Sequence, residues 1–184
     1  MFYVWFGVAL FMAGRSKDSY EYLSKGLEFG ENAGHQKVVG YACTWLTWAC
    51  AELGLFDEGI NFGERAQKIA ESFPSDQYLF FKSLGGICYI NFCKGDTKRI
   101  FKDAKRLLEY GERNANNRSK VFGYWMEGFG HQAAGDMKSS QKSSEKAIEV
   151  ALDPAYAQFP KSTLGMAYFF PVNFSKLKMF INPP

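Results

Sequence analysis

The chain has 184 residues, 47% hydrophobic and 22% charged, which excludes a disordered segment and leaves room for one compact domain or about four to five helical repeats. Its net charge of +3 is too near neutral to point by itself to nucleic acid or an anionic membrane.

The opening stretch, Phe2 to Ala13, is uncharged. It lacks the basic start and small-residue cleavage pattern of a signal peptide and is too short to span a bilayer, so it reads as a buried helix. Gly14 closes it and opens a charged stretch. Gly54, Gly95 and Gly135 do the same further on, at spacings of 40, 41 and 40 residues. Self-similarity at this period marks a repeat array, in which each helical pair hides its apolar face against its neighbours.

Counting back from each glycine predicts a first helix in every unit, over 2–13, 38–53, 78–94 and 119–134. These are apolar on most sides: 38–53 holds one charge, Glu52, and 78–94 holds only Lys82 and Lys94. A helix of this kind must be covered on several faces. Counting forward predicts second helices over 16–33, 56–73, 96–113 and 136–152, which carry six, six, ten and six charges. In 96–113 the residues Ile100, Ala104, Leu107, Leu108 and Gly111 fall on one helical face, and Lys98, Lys102, Lys105 and Arg106 fall largely on the other. The first helices therefore form an inner layer and the second an outer, solvated one.

The punctuation agrees with this layout. A glycine ends a helix in the left-handed conformation at no steric cost. Asp96 and Asp136 follow at once, placed to cap the next helix, with Ser16 and Asp57 a residue or two later in their units. Loop-like runs separate the units at 33–36, 73–76, 114–117 and 153–154. A fifth unit begins near 158, where Leu164-Gly165 echoes Leu84-Gly85 two periods earlier; its turn falls near Ser175. Solenoid ends need polar caps and neither end has one, so the chain is expected to be a fragment of a longer protein or to stack on another chain.

Cys43, Cys50, Cys88 and Cys93 all lie in apolar segments, form no CxxC and have no histidine at ligand spacing, so they read as small reduced core residues in a cytoplasmic protein. His35 and His131 lie in different contexts, which argues against a metal pair. His131 is placed to meet Glu127 one turn before it. Phosphate-loop, GxSxG and HExxH motifs are absent, and Glu52 and Glu127 are the inner layer's acids, so catalysis by this segment is not expected.

With the four glycines as turn residues, the small inner-helix position falls on Gly7, Thr47, Cys88 and Gly128. The outer-helix small positions fall on Ser19, Gly59, Ile100 and Ser140, then on Gly26, Ala66, Leu107 and Ala147. This pattern resembles the tetratricopeptide repeat family; Ile100 and Leu107 depart from it. The resemblance implies an all-α, right-handed α–α superhelix of about four and a half hairpins. Its units would lie over about 1–36, 37–76, 77–117 and 118–157, with a partial one over 158–184, all in a single repeat domain. The period exceeds the family's usual 34 or so residues. Longer units with runs such as Ala51-Glu52-Leu53-Gly54-Leu55-Phe56-Asp57-Glu58-Gly59 resemble the repeat regions of large bacterial signalling proteins, where such arrays follow ATPase or nucleotide-cyclase domains.

In that family the inner helices line a concave groove for a peptide or protein. Carried over, the groove positions are Tyr41, Thr44, Trp48 and Glu52, then Lys82, Gly85, Tyr89 and Phe92, then Phe122, Trp125, Phe129 and Gln132. Trp48, Tyr89 and Phe129 share one position in successive units and would form an aromatic ladder suited to a binding hot spot. Burial of these rings against the next unit is the other reading of the same residues. The resemblance implies a non-catalytic scaffold that needs no cofactor or metal. It would bind a protein or peptide, a neighbouring domain, or a second copy through its uncapped ends. A small-molecule sensor using the aromatic groove is the alternative. RNA reading is the weakest, since the inner helices offer chiefly Lys82 and Lys120 as cations.

Overall fold

The computed structural model describes the backbone of residues 1–181 and the side chains through Phe169. Among the described residues it contains nine α-helices and no strand: α1 (Phe2–Met12), α2 (Ser16–Asn32), α3 (Gln36–Leu53), α4 (Phe56–Glu71), α5 (Gln77–Cys93), α6 (Thr97–Arg113), α7 (Asn117–Ala133), α8 (Met137–Glu149) and α9 (Pro154–Ile181). All eight helices expected from the glycine period are present, with ends shifted by at most three residues.

The turns explain why the period is so legible. Gly14, Gly54, Gly95 and Gly135 have φ of +74°, +74°, +73° and +78°, a left-handed backbone that a side chain would strain. The next residue's N–H then turns back to the helix just ended: Arg15 to the Leu10 carbonyl, Leu55 to Cys50 and Asp136 to His131, each at 2.9 Å. This closes orphan carbonyls at the helix end and aims the chain into the following helix. Gly34 and Ala115 take the left-handed conformation at two of the loops between units.

Capping follows expectation at two helices and departs from it at two. The Asp96 and Asp136 carboxylates accept from the Arg99 and Ser139 amides at 3.1 and 3.0 Å. Ser16 and Asp57, by contrast, lie inside the first turns of α2 and α4; the capping positions are Arg15 and Leu55, and neither provides a side-chain cap.

The chain divides into two compact bodies, 1–94 and 95–184. In the first, α1 packs on α2 and α3 on α4, and α3 also meets α1, α2 and α5. Such enclosure accounts for the composition of α3, whose residues from Val38 to Ala51 are buried apart from half-buried Tyr41. Val39 and Cys43 of α3 pack with Ala66 of α4, ringed by Leu27, Phe62 and Ile69. In the second body α7 lies between α6 and α8, and α9 covers both α7 and α8.

Within the bodies the longest-range side-chain hydrogen bonds join residues 34 to 38 positions apart. That is about one period, and the bonds Tyr20–Glu58, Trp48–Lys82, Tyr89–Glu52, Lys94–Asp57 and Trp125–Thr163 each link a hairpin to its neighbour. The twelve positions where small residues were expected are all buried. A Cβ on Gly26 would stand 2.8 Å from a Val4 methyl, and one on Gly7 would stand 2.7 Å from Leu23, so α1 and α2 approach with almost no side chain between them. Where the larger Ile100 replaces a small residue, the room is supplied by α7: a Cβ on Gly130 would lie 3.1 Å from Ile100 and 2.9 Å from the Phe101 ring.

The fifth unit differs from expectation. Helix α9 starts at Pro154 and continues through Ser175 without a turn. No glycine stands near 175 to stop it, and Asp153 starts it by accepting from the Ala155 amide at 3.0 Å. Residues 182–184 of that expected unit lie outside the described residues.

Candidate functional site

The inner helices of the first body bring several expected groove residues together. The Trp48 ring stacks on Tyr89 with centroids 5.6 Å apart and planes 21° apart, and Tyr89 stacks in turn on Phe92 at 6.2 Å. These are the first two rungs of the expected ladder. The Tyr89 hydroxyl donates to Glu52 at 3.1 Å, tying the last turn of α3 to α5. Burial foremost, and then the Glu52 charge, hold the Tyr89 phenol well above its ordinary range.

Lys82, one of the positions carried over as groove lining, is a buried residue. It is 5% exposed, and its ammonium lies 4.8 Å from the centre of the Trp45 ring and 5.2 Å from that of Trp48. Aromatic faces attract a cation, and the Trp48 indole also donates to the Lys82 carbonyl at 3.0 Å. Desolvation still dominates and pulls the amine down to about 7.

Several of the expected groove positions are enclosed within their own bodies. Thr44, Trp48, Lys82, Phe122, Trp125 and Phe129 are buried side chains. In the second body the cover is α9: Phe159 lies 5.2 Å from Trp125 and 6.0 Å from Phe122, and the Trp125 indole donates to the Thr163 hydroxyl at 2.7 Å. Gln132 donates to the Thr163 carbonyl at 2.9 Å, so the fourth unit's expected lining is the seat of α9. Glu127 accepts from Ser143 at 3.0 Å, and His131 meets Phe101 edge-on. Cys43, Cys50 and Cys88 are buried, and burial pushes the first two up to about 12; Cys93, at the end of α5, is exposed.

What the inner helices leave accessible is a different row. Trp5 of α1 is 47% exposed and lies 5.7 Å from Tyr41 of α3, which lies 5.5 Å from Tyr78 of α5. Three successive inner helices thus contribute one ring each. The row is fixed by Asp76, which accepts from the Tyr41 hydroxyl at 2.9 Å and pairs with Lys37 at 2.7 Å. Burial and then the Asp76 bond raise the Tyr41 phenol to about 12, so it remains a neutral donor. Trp5 and Tyr78 escaped the sequence reading because these rings are 36 and 37 residues apart rather than 40. Adjoining inner helices meet with an offset, so contact partners fall short of the full period. The same offset in the hydrogen-bond separations is the signal that finds them.

Among the described residues no group of three or more His, Cys, Asp or Glu side chains is placed to hold a metal, and no helix is long and apolar enough to cross a membrane. No protein-family model matches the chain, and no match to a curated protein was found.

Proposed function

We propose that the chain is a non-catalytic protein-interaction scaffold built as a tetratricopeptide-like solenoid, with the inner-helix side of its first body as a docking face. The carrying observation is the row Trp5–Tyr41–Tyr78, one ring from each of three successive inner helices and bordered by the Lys37–Asp76 pair. Rigid, partly exposed rings give large contact area at low entropic cost, and a charged pair beside them fixes the register of a bound chain. Behind the row, most of α3 from Val38 to Ala51 is buried, so the backbone that carries Tyr41 is held by packing. Such a face suits an extended peptide or a partner helix carrying apolar anchors. A regulatory region of a multidomain signalling protein is the setting this reading favours.

The test is partner capture and crosslinking with a photoreactive residue at position 5. Trp5→Ala and Tyr78→Ala should lower capture about tenfold or more while helical content is kept. Lys102→Glu, on an outer helix of the second body, should leave it unchanged. Capture that survives both ring deletions and fails with Lys102→Glu would overturn this face.

A further inference from the structure

The two bodies carry opposite charge. Residues 1–94 hold eight Lys and Arg against ten Asp and Glu, whereas residues 95–184 hold fourteen against nine. Each body also exposes an apolar face on its terminal helices. On α1 and α2, five rings form a continuous patch: Phe2 on Phe6 at 5.9 Å, Phe6 on Tyr22 at 4.7 Å, Tyr22 on Tyr3 at 6.3 Å, and Tyr3 stacked on Phe29 at 5.1 Å. Phe2 and Phe29 are 72% and 58% exposed. On α9, Met166, Tyr168 and Phe169 are exposed, with α9 held to α8 by Gln141 donating to the Ala167 carbonyl and Tyr168 to Glu145.

Charge is distributed to match. Exposed Glu21 and Glu28 flank the aromatic stripe of α2, seven residues apart, and form no ion pair among the described residues. Exposed Lys138 and Lys142 flank the α8–α9 face, one turn apart, and likewise form none among the described residues. The minority charges also complement each other: Lys25 lies over the Tyr22 ring on the first face, and Glu145 meets Tyr168 on the second. An apolar centre with a complementary charged rim is the anatomy of a protein interface.

We propose that the α1–α2 face of one copy of this chain binds the α8–α9 face of a second copy, head to tail. This contact pairs two different surfaces, so it is heterologous, and successive copies add without closing unless the rotation returns to the start. It goes beyond the scaffold reading, because it uses neither the Trp5–Tyr41–Tyr78 row nor an outside partner. Tyr78→Ala, which strikes that row alone, leaves this self-association intact.

The experiment is sedimentation velocity of the whole chain across micromolar concentrations at low and high salt. The expected result is a mean mass that rises with protein concentration and falls with salt. Glu21→Lys with Glu28→Lys should weaken association about tenfold or more, and so should Lys138→Glu with Lys142→Glu. Mixing these two charge-reversed proteins should restore it, because each then offers the other a complementary pair of faces. All four positions are exposed, so the fold is not at stake. A wild-type chain that stays monomeric throughout, or variants that associate as wild type does, would overturn the proposal. So would loss on reversing the glutamates alone with the lysine reversal silent, since α1–α2 would then be pairing with itself.

Discussion

The Trp48 indole N–H donates to the main-chain carbonyl of Lys82 at 3.0 Å, while the ammonium of the same lysine lies 5.2 Å from the centre of the Trp48 ring. One residue therefore uses both of its ends on one tryptophan. The carbonyl gains a donor, but the charge remains in a poorly solvated place.

That placement makes stability depend on pH. In the folded chain the Lys82 amine titrates near about 7, whereas in the unfolded chain it titrates near about 10.4. Between those values the unfolded state binds the extra proton, so stability rises with pH; below about 7 both states are charged and the full cost of burying the ammonium is present. Urea unfolding should show a gain of roughly 1–2 kcal/mol from about pH 7 to about pH 8.5 that Lys82→Met lacks, with the variant's advantage greatest in acid. Parallel stability curves for the two proteins across this range would refute the assignment. Comparison with the variant is needed because Cys43 and Cys50, raised by burial, oppose the trend once pH passes their unfolded values near about 8.5.

Glycines in turns and in packed helices should fail differently. Gly54→Ala asks a side chain to adopt φ of +74° with nothing within 4 Å, and should cost about 1 kcal/mol through the backbone alone. Gly63→Ala would put its Cβ 2.5 Å from Ile87 Cγ1 and should cost roughly 1–3 kcal/mol. Ile87→Ala should offset part of the second loss and none of the first. A double-mutant cycle by thermal unfolding reads the coupling; zero interaction between positions 63 and 87 would contradict the packing.

The bond from Trp125 to Thr163 should behave as a unit. Thr163→Val leaves a buried indole N–H without its acceptor, and Trp125→Phe leaves the hydroxyl alone, each costing roughly 1–3 kcal/mol. Combined, they should cost clearly less than the two losses added. Strict additivity in urea titrations would mean that the bond contributes nothing.

Leu55 begins α4 at 41% exposure and offers no side-chain acceptor to its first turn. Leu55→Ser should raise stability by about 0.5–1 kcal/mol, because its φ and ψ of −85° and 57° resemble those of Asp96, which does cap. An unchanged or lower melting temperature would count against this.

Helix positions were legible because one chemical event recurs. A left-handed glycine such as Gly54 or Gly135 has few substitutes, so the turn repeats in the sequence with little noise. The burial of small residues such as Ser19, Gly26, Ser140 and Ala147 was legible for the same reason, since close approach admits few side chains. The state of the aromatic rings was not. Position in a repeat says which face Trp48 or Trp125 occupies, but not whether Tyr89 or α9 will cover it. Nor could the charge count foresee that Lys82 would be enclosed, since a single lysine among apolar residues fits a groove as well as a core. The unbroken course of α9 escaped for a plainer reason: Leu164-Gly165 continues the register, but no glycine follows where the turn was due.

The short reach of the hydrogen bonds also bears on how the chain acquires its structure. Partners 34 to 38 residues apart are within reach as soon as one further hairpin exists. Inside each body these contacts close before the chain has to bring its distant ends together, so little loop-closure entropy is lost ahead of the packing it makes possible.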